Sequence, residues 1–149
     1  MIIDNLEFIK NNIKSNQKLM ALDVSKNNLG IALSDISHKI AFPKLTIVRK
    51  NLIPDIQQII SIIKQENVFA LIIGLPLEKN GSSKERVQSI KTFALNILKQ
   101  IEIPIFFQDE RFSTYFVENN NLNNNKKDVD SQASAWFLQI ILDKLNLKD

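Results

Sequence analysis

The sequence predicts an α/β fold, with a mixed sheet and helices on both of its faces. A hairpin over residues 18–35 and a further strand over residues 41–48 come first, with tight turns between them, which is typical of an antiparallel meander. Downstream, apolar residues at helical spacing alternate with continuous apolar runs, which is typical of helices that alternate with buried strands. The predicted order of elements is therefore βββαβαβα.

The hairpin contains the first unusual residue of the chain. An apolar run over residues 19–22 ends at Asp23, and a second apolar run over residues 29–33 follows a polar turn. A carboxylate at the end of an apolar strand is costly to desolvate unless a positive group meets it. We expect Asp23 either to meet a metal ion or a basic side chain, or to accept hydrogen bonds from turn amides.

The elements around the hairpin follow from the same patterns. An amphipathic helix over residues 3–14 is predicted before it, so residues 1–17 form a helical extension and residues 18–149 a single domain. The later elements are a helix over 54–66, a strand over 68–73, a helix from Ser83, a strand over 103–107, a short helical turn over 112–117, a polar loop over 119–125 and a helix over 130–145. Trp136 and the phenylalanines are predicted to lie in the core.

The composition limits the kinds of site and partner. The chain has 149 residues, a net charge of +3, no cysteine and one histidine, His38. Disulfides and thiolate metal sites are excluded, and a histidine-based zinc site is not expected. A metal ion would therefore bind carboxylates, which favours magnesium or manganese. No apolar run approaches the length of a membrane span and no secretory signal is evident, so we expect a cytoplasmic protein without a membrane partner.

Acidic residues follow the ends of the predicted strands. Asp23 closes the first strand, Asp109 and Glu110 close the last strand, and Asp128 and Asp130 open the last helix. Because the carboxyl ends of parallel strands border one crevice, we expect acids from these three segments to converge. Clustered carboxylates repel each other, and a divalent cation relieves that repulsion. Two such cations could activate a water molecule and stabilise the leaving oxygen of a phosphodiester.

Four segments of the chain form a distinctive set: LDVSKNNLGIALSD (22–35), IIGLPLEKNGSSKERV (72–87), FQDERFST (107–114) and VDSQASAWFLQIILD (129–143). Together, and in this order, they resemble the YqgF/RuvX family of nucleases, which has the ribonuclease-H-like fold. The resemblance implies a nuclease that uses Mg²⁺ or Mn²⁺ and has Asp23, Glu110 and Asp130 as its three acids. The family was first proposed to resolve Holliday junctions, and it is now usually described as processing the 5′ end of pre-16S ribosomal RNA.

Six residues are candidates for contact with nucleic acid. They are Ser82, Ser83, Arg86, Arg111, Lys126 and Lys127. The two serines either present backbone amides to a phosphate or simply cap the following helix. Arg86 either assists in binding or simply covers the helix face, and Arg111 either contacts phosphate or braces the acids. Similarly, Glu110 is either a ligand or half of a surface ion pair, and Asp130 is either a ligand or an N-cap.

The sequence departs from the family pattern at two positions of the hairpin turn. The family typically has glycine two positions after the first acid and a basic residue before the Ile-Gly pair, where this chain has Ser25 and Asn28. A side chain at Ser25 would hinder the approach of a backbone phosphate, and Asn28 removes one cation. A binder of nucleic acid without catalytic activity is therefore the alternative to the nuclease.

Overall fold

The computed structural model describes residues 1–76, 84–109 and 126–146, and for residues 126–129 it describes the backbone only. Six strands in these ranges form one sheet: β1 (Ile2–Ile3), β2 (Lys18–Val24), β3 (Asn28–Ser34), β4 (Ala41–Val48), β5 (Val68–Leu75) and β6 (Ile105–Asp109). The helices of the same ranges are α1 (Glu7–Asn12), α2 (Leu52–Gln65), α3 (Lys84–Leu98) and α4 (Lys126–Leu145). The elements predicted over 112–117 and 119–125 lie outside the described residues.

The sheet is mixed, as predicted, and its strand order is β1-β6-β5-β2-β3-β4. The meander β2–β3–β4 is antiparallel, whereas β5 and β6 run parallel to β2. The carboxyl ends of β2, β5 and β6 therefore lie at the same edge of the sheet. This edge carries Asp23 near the end of β2.

Each face of the sheet packs against helices, which confirms the prediction of helices on both faces. On one face, Leu19 and Ala21 of β2 pack in a cluster with Phe137 of α4 and Ile9 of α1. On the opposite face, the alternate residues of β2 pack with α2 and α3, and Leu22 lies in that second cluster. No helix in the described ranges has both the length and the apolar character needed to cross a membrane.

The helix predicted over residues 3–14 is wrong at its amino-terminal end. Ile2 and Ile3 form a strand that pairs in parallel with β6, and the helix comprises only Glu7–Asn12. β-Branched residues suit a strand, and the edge of β6 offers backbone partners that no local pattern reveals. Residues 1–17 thus contribute to the sheet and the core. Their separation from residues 18–149 as a domain stays a prediction.

The last helix differs from its prediction in two respects. It begins at Lys126 rather than at residue 130, one turn earlier than expected. Trp136 is 38% exposed, so its placement in the core is wrong, whereas Leu138 and Leu142 are fully buried. Residues 138 and 142 are one turn apart and lie beside Phe137 and Ile141, so the buried stripe runs along that side of the helix.

Candidate active site

Asp23 is a buried carboxylate on the α4 face of the sheet. It is only 4% exposed, and its antiparallel partner in β3 is Gly30. Side chains alternate along a strand, so Asp23 shares a face with Leu19 and Ala21, which pack beneath α4. The apolar part of β2 therefore fixes the direction in which this carboxylate points.

Gly30 brings the backbone of α4 against the strand that pairs with Asp23. A Cβ atom built on Gly30 would lie 2.3 Å from the carbonyl oxygen of Asp130 and 2.8 Å from the backbone nitrogen of Ser131. Only glycine permits such a close approach of two backbones. The hydroxyl of Ser134 donates a hydrogen bond of 2.7 Å to the carbonyl oxygen of Gly30 and fastens the helix at this point.

The contact at Gly30 places Asp23 and Asp130 at one corner of the sheet. Directly opposed residues in an antiparallel pair have Cα atoms about 4.5–5.5 Å apart, so Gly30 lies next to Asp23. The backbone of Asp130 in turn contacts Gly30. Asp130 is also buried, at 9% exposure. It lies in the second turn of α4 rather than before its first residue, so the N-cap interpretation of Asp130 is wrong.

Asp109, the described acid at the end of β6, does not share a face with Asp23. Asp109 is exposed. It points to the same face of β6 as Ile105 and Phe107, which pack in the cluster with α2 and α3. It therefore lies on the face opposite to that of Asp23. Glu110 follows β6 directly in the chain but lies outside the described residues, as does the side chain of Asp128.

The carboxylates of Asp23 and Asp130 are suitable ligands for a hard divalent cation, but two ligands do not complete its coordination. Oxygen atoms of aspartate are the donors that Mg²⁺ and Mn²⁺ prefer, and buried acids at one corner favour a positive ion between them. Among the described residues, no group of three acidic, histidine or cysteine side chains is placed to hold a metal. A third protein ligand would have to come from outside those ranges, where Glu110 lies.

The turn after Asp23 accommodates serine where the resembling family has glycine. The Ser25 hydroxyl donates to the carbonyl oxygen of Asn28 at 2.9 Å and accepts from the Asn28 amide at 3.1 Å. The only non-glycine residues with positive φ in the described ranges are His38 and Asn67, so this turn does not require a glycine conformation at Ser25. The Ser25 hydroxyl therefore stabilises the turn through hydrogen bonds to the backbone of Asn28.

The predicted nucleic-acid contacts do not all surround Asp23. Arg86 is exposed in the first turn of α3, on the face opposite to α4. Lys126 and Lys127 begin α4 on the side of Asp130, but their side chains are not described. Ser82, Ser83 and Arg111 lie outside the described residues.

Sequence reasoning did not find Gly30 and Ser134 as members of the site. Their contact joins residues 104 positions apart, which a local pattern cannot show. One signal was available, because a glycine inside a strand often marks a close approach of another backbone. The small residue Ser134, one turn after Asp130, is the matching feature on the helix.

Comparison with known proteins decides the family. A sequence model described as "RuvX: Holliday junction resolvase" matches residues 17–144. The chain belongs to the RuvX family. It is 34% identical to the "Putative pre-16S rRNA nuclease" of Bartonella tribocorum, and the alignment covers 97% of each chain. It is 35% identical to the protein of that name from Bartonella bacilliformis, over 99% of this chain and 95% of the relative.

A solved structure with a similar fold is RuvC of Thermus thermophilus in complex with a Holliday junction substrate. The TM-score is 0.56 with 9% sequence identity, and the match covers 87% of this RuvX-family chain and 96% of RuvC. Identity at this level shows the fold alone, which confirms the predicted ribonuclease-H-like mixed sheet. Nucleases with this fold generally use divalent metal ions.

Proposed function

We propose that this chain is a metal-dependent nuclease that hydrolyses phosphodiester bonds at the 5′ end of pre-16S ribosomal RNA. The proposal depends on one observation above all. The backbone of Asp130 contacts Gly30, the strand partner of Asp23, so two buried acids from distant segments lie near the carboxyl edge of the parallel strands. Membership of the RuvX family and relatives named as pre-16S ribosomal RNA nucleases support the choice of reaction and substrate.

In this proposal Asp23, Glu110 and Asp130 hold Mg²⁺ or Mn²⁺. A bound ion would lower the pKa of a water molecule and stabilise the leaving oxygen of the phosphodiester. The fold supplies the rigid support that such a site needs. Asp23 is held by the pairing of β2 with the strands on both of its sides, and Asp130 is held by the contact between α4 and Gly30.

Six residues are proposed to contact the phosphates of the substrate. Basic side chains provide charge for the backbone, and amides at a helix start provide donors. They are Ser82, Ser83, Arg86, Arg111, Lys126 and Lys127. A cytoplasmic location, where precursor ribosomal RNA would be met, is part of the same proposal.

Resolution of four-way DNA junctions is the second candidate function. The description of the family model favours it, and so does the Holliday junction bound to RuvC, which shares the fold. The same acids would act in both reactions, so the geometry at Gly30 does not separate them.

The test is a cleavage panel that compares a precursor 16S ribosomal RNA fragment with a four-way DNA junction in the presence of Mg²⁺ or Mn²⁺. We expect the wild type to cleave the RNA and Asp23→Asn to lower the rate about a hundredfold to a thousandfold, because charge stabilisation by the metal site is lost. Asp143→Asn changes an exposed aspartate about 20 Å from Asp130 along α4 and is the matched control. It should cleave like the wild type.

Three outcomes would contradict parts of this proposal. Cleavage of the junction alone would replace the substrate by branched DNA. Salt-dependent binding without cleavage by the wild type would indicate the non-catalytic binder instead. Equal cleavage by the wild type and Asp23→Asn would remove Asp23 from the site.

A further inference from the structure

A cleft of about 630 Å³ lies at the same edge of the sheet as Asp23 but on the opposite face. Its walls are the turn between β2 and β3, the segment between β4 and α2, and the first turns of α3. We infer that this cleft binds a single-stranded flank of the nuclease's RNA substrate by its phosphates. The inference rests on the proposed function for the substrate class, and it adds a binding site distinct from the acids.

The charge of the cleft favours a polyanion. Four cations line it, and they are Lys26, Arg49, Lys50 and Arg86. The acids among the lining residues are Asp55 and Glu85. Asp55 is only 2% exposed, and its carboxylate accepts hydrogen bonds of 3.2 and 3.3 Å from the backbone amide of Lys50. The Asp55 carboxylate is therefore hydrogen-bonded within the wall, and the four cations outnumber the one exposed acid of the cleft, Glu85.

The exposed cations of the cleft are available to a ligand. Lys26, Lys50 and Arg86 are exposed, and none of them forms an ion pair with an acid of the described ranges. Three like charges that converge on one opening repel each other in the absence of an anion. A chain of phosphates would relieve that repulsion and release counterions, which is the main source of affinity for nucleic acid.

Arg49 is held in place on the wall of the cleft. Its guanidinium donates a hydrogen bond of 2.8 Å to the carbonyl oxygen of Ser25 and lies 5.1 Å from the ring centroid of Phe93. Its backbone amide donates to the carbonyl oxygen of Asn27 at 2.8 Å. A guanidinium has five N–H donors, so this anchored side chain keeps donors for a phosphate. Its conformational entropy has already been lost, which favours binding.

The position of the cleft connects it to the acids. Ser25, which accepts the Arg49 hydrogen bond, is two residues after Asp23, or about 7 Å along the chain. A strand whose scissile phosphate lies at Asp23 could therefore pass over the edge of the sheet into the cleft within a few nucleotides. The volume is that of a small-molecule site, so a single strand enters it rather than a duplex.

The experiment measures the binding of two fluorescein-labelled precursor 16S ribosomal RNA fragments, one with and one without a single-stranded 5′ flank. The protein carries Asp23→Asn in every sample, so that the RNA stays intact. Lys26→Gln/Lys50→Gln/Arg86→Gln removes the exposed cations of the cleft. Lys14→Gln/Lys64→Gln/Lys99→Gln removes three exposed cations elsewhere and is the matched control.

We expect the cleft variant to bind the flanked RNA at least about tenfold more weakly than the control and to reduce the salt slope by about 2, since three phosphate contacts are lost. The two variants should bind the unflanked RNA equally. Arg49→Lys keeps the positive charge but loses the planar set of guanidinium donors. It should likewise weaken the binding of the flanked RNA and leave that of the unflanked RNA unchanged.

Equal affinity of the cleft variant and the control for flanked RNA would overturn the inference. An equal loss for both RNAs would also overturn it, because the cations would then act on the whole RNA rather than on the flank. If the wild type fails to cleave RNA but the flank-specific loss is seen, the proposed reaction fails while the binding site stands.

Discussion

Gly30 is the residue on which the candidate active site depends most directly. It pairs with Asp23 and lies beneath the backbone of Asp130, so this position sets how closely α4 approaches the strand pair that contains Asp23. A side chain is excluded here, because a Cβ atom at this position would lie 2.3 Å from the carbonyl oxygen of Asp130. The role of this glycine is therefore to permit contact between backbones.

The variant Gly30→Ala tests this role. The added methyl group must push α4 away from β3, since both neighbouring atoms belong to the backbone, and we expect a loss of about 1–3 kcal/mol in unfolding free energy. Cleavage per folded molecule should fall at least about tenfold, because Asp130 moves relative to Asp23. Urea unfolding and single-turnover cleavage measure the two effects.

Ile59→Val is the matched control for Gly30→Ala. Ile59 is fully buried beneath the opposite face, so its truncation should cost about 0.5–1.5 kcal/mol without moving the acids. If Gly30→Ala and Ile59→Val both retain full cleavage per folded molecule, the contact at Gly30 does not position the acids.

Among the elements, the turn from Asp35 to Ile40 is stabilised by one ionised side chain. Although burial by itself raises the pKa of Asp35, hydrogen bonds from the amide of Ile40, the hydroxyl of Ser37 and the amide of Lys39 hold that pKa well below its usual range. The carboxylate form is thus favoured in the folded chain. This turn joins β3 to β4, the strand at the edge of the sheet.

The depressed pKa gives a pH dependence with a definite sign. A carboxyl group whose pKa is lower when folded stabilises the protein above its unfolded pKa of about 3.9, and that contribution is lost as the pH falls toward the folded value. We expect Asp35→Asn to lower the unfolding free energy at pH 7, with the difference from wild type shrinking below about pH 4. Urea titrations at several pH values measure it. A difference that is independent of pH would exclude the charge as its cause.

The sequence predicted most elements because their signals are local. The strand over residues 41–48 has the predicted bounds, and the hairpin over residues 18–35 is confirmed, since apolar runs and a polar turn define both. The strand Ile2–Ile3 was missed because its partner β6 lies about a hundred residues away. The start of α4 was misplaced because the residues before Asp130 carry no apolar period.

The candidate site was predictable only in its acids. An aspartate at the end of an apolar strand is a local anomaly, so Asp23 could be found from the sequence. Two other features join segments that are distant in sequence, so only the fold reveals them. They are the contact of α4 with Gly30 and the packing of Arg49 against Phe93. The interpretation of Asp130 changed for the same reason, since a capping role depended on where the helix begins.

For the molecule as a whole, the sheet separates the buried acids from the basic cleft, and both lie at its carboxyl edge. The α4 face carries the buried acids Asp23 and Asp130, whereas the opposite face carries the basic cleft around Arg49. The turn from Ser25 to Asn28 lies between them and contacts Arg49. In the proposed enzyme, a substrate strand crosses this edge, so hydrolysis and binding can be altered separately.

The decisive measurement is a calorimetric titration of Mn²⁺ into the wild type, Asp23→Asn and Asp130→Asn. We expect the wild type to bind the ion and each variant to bind it at least about tenfold more weakly, because each loses a charged ligand. Binding of Mn²⁺ by both variants with the affinity of the wild type would contradict the assignment of these two carboxylates to one metal site.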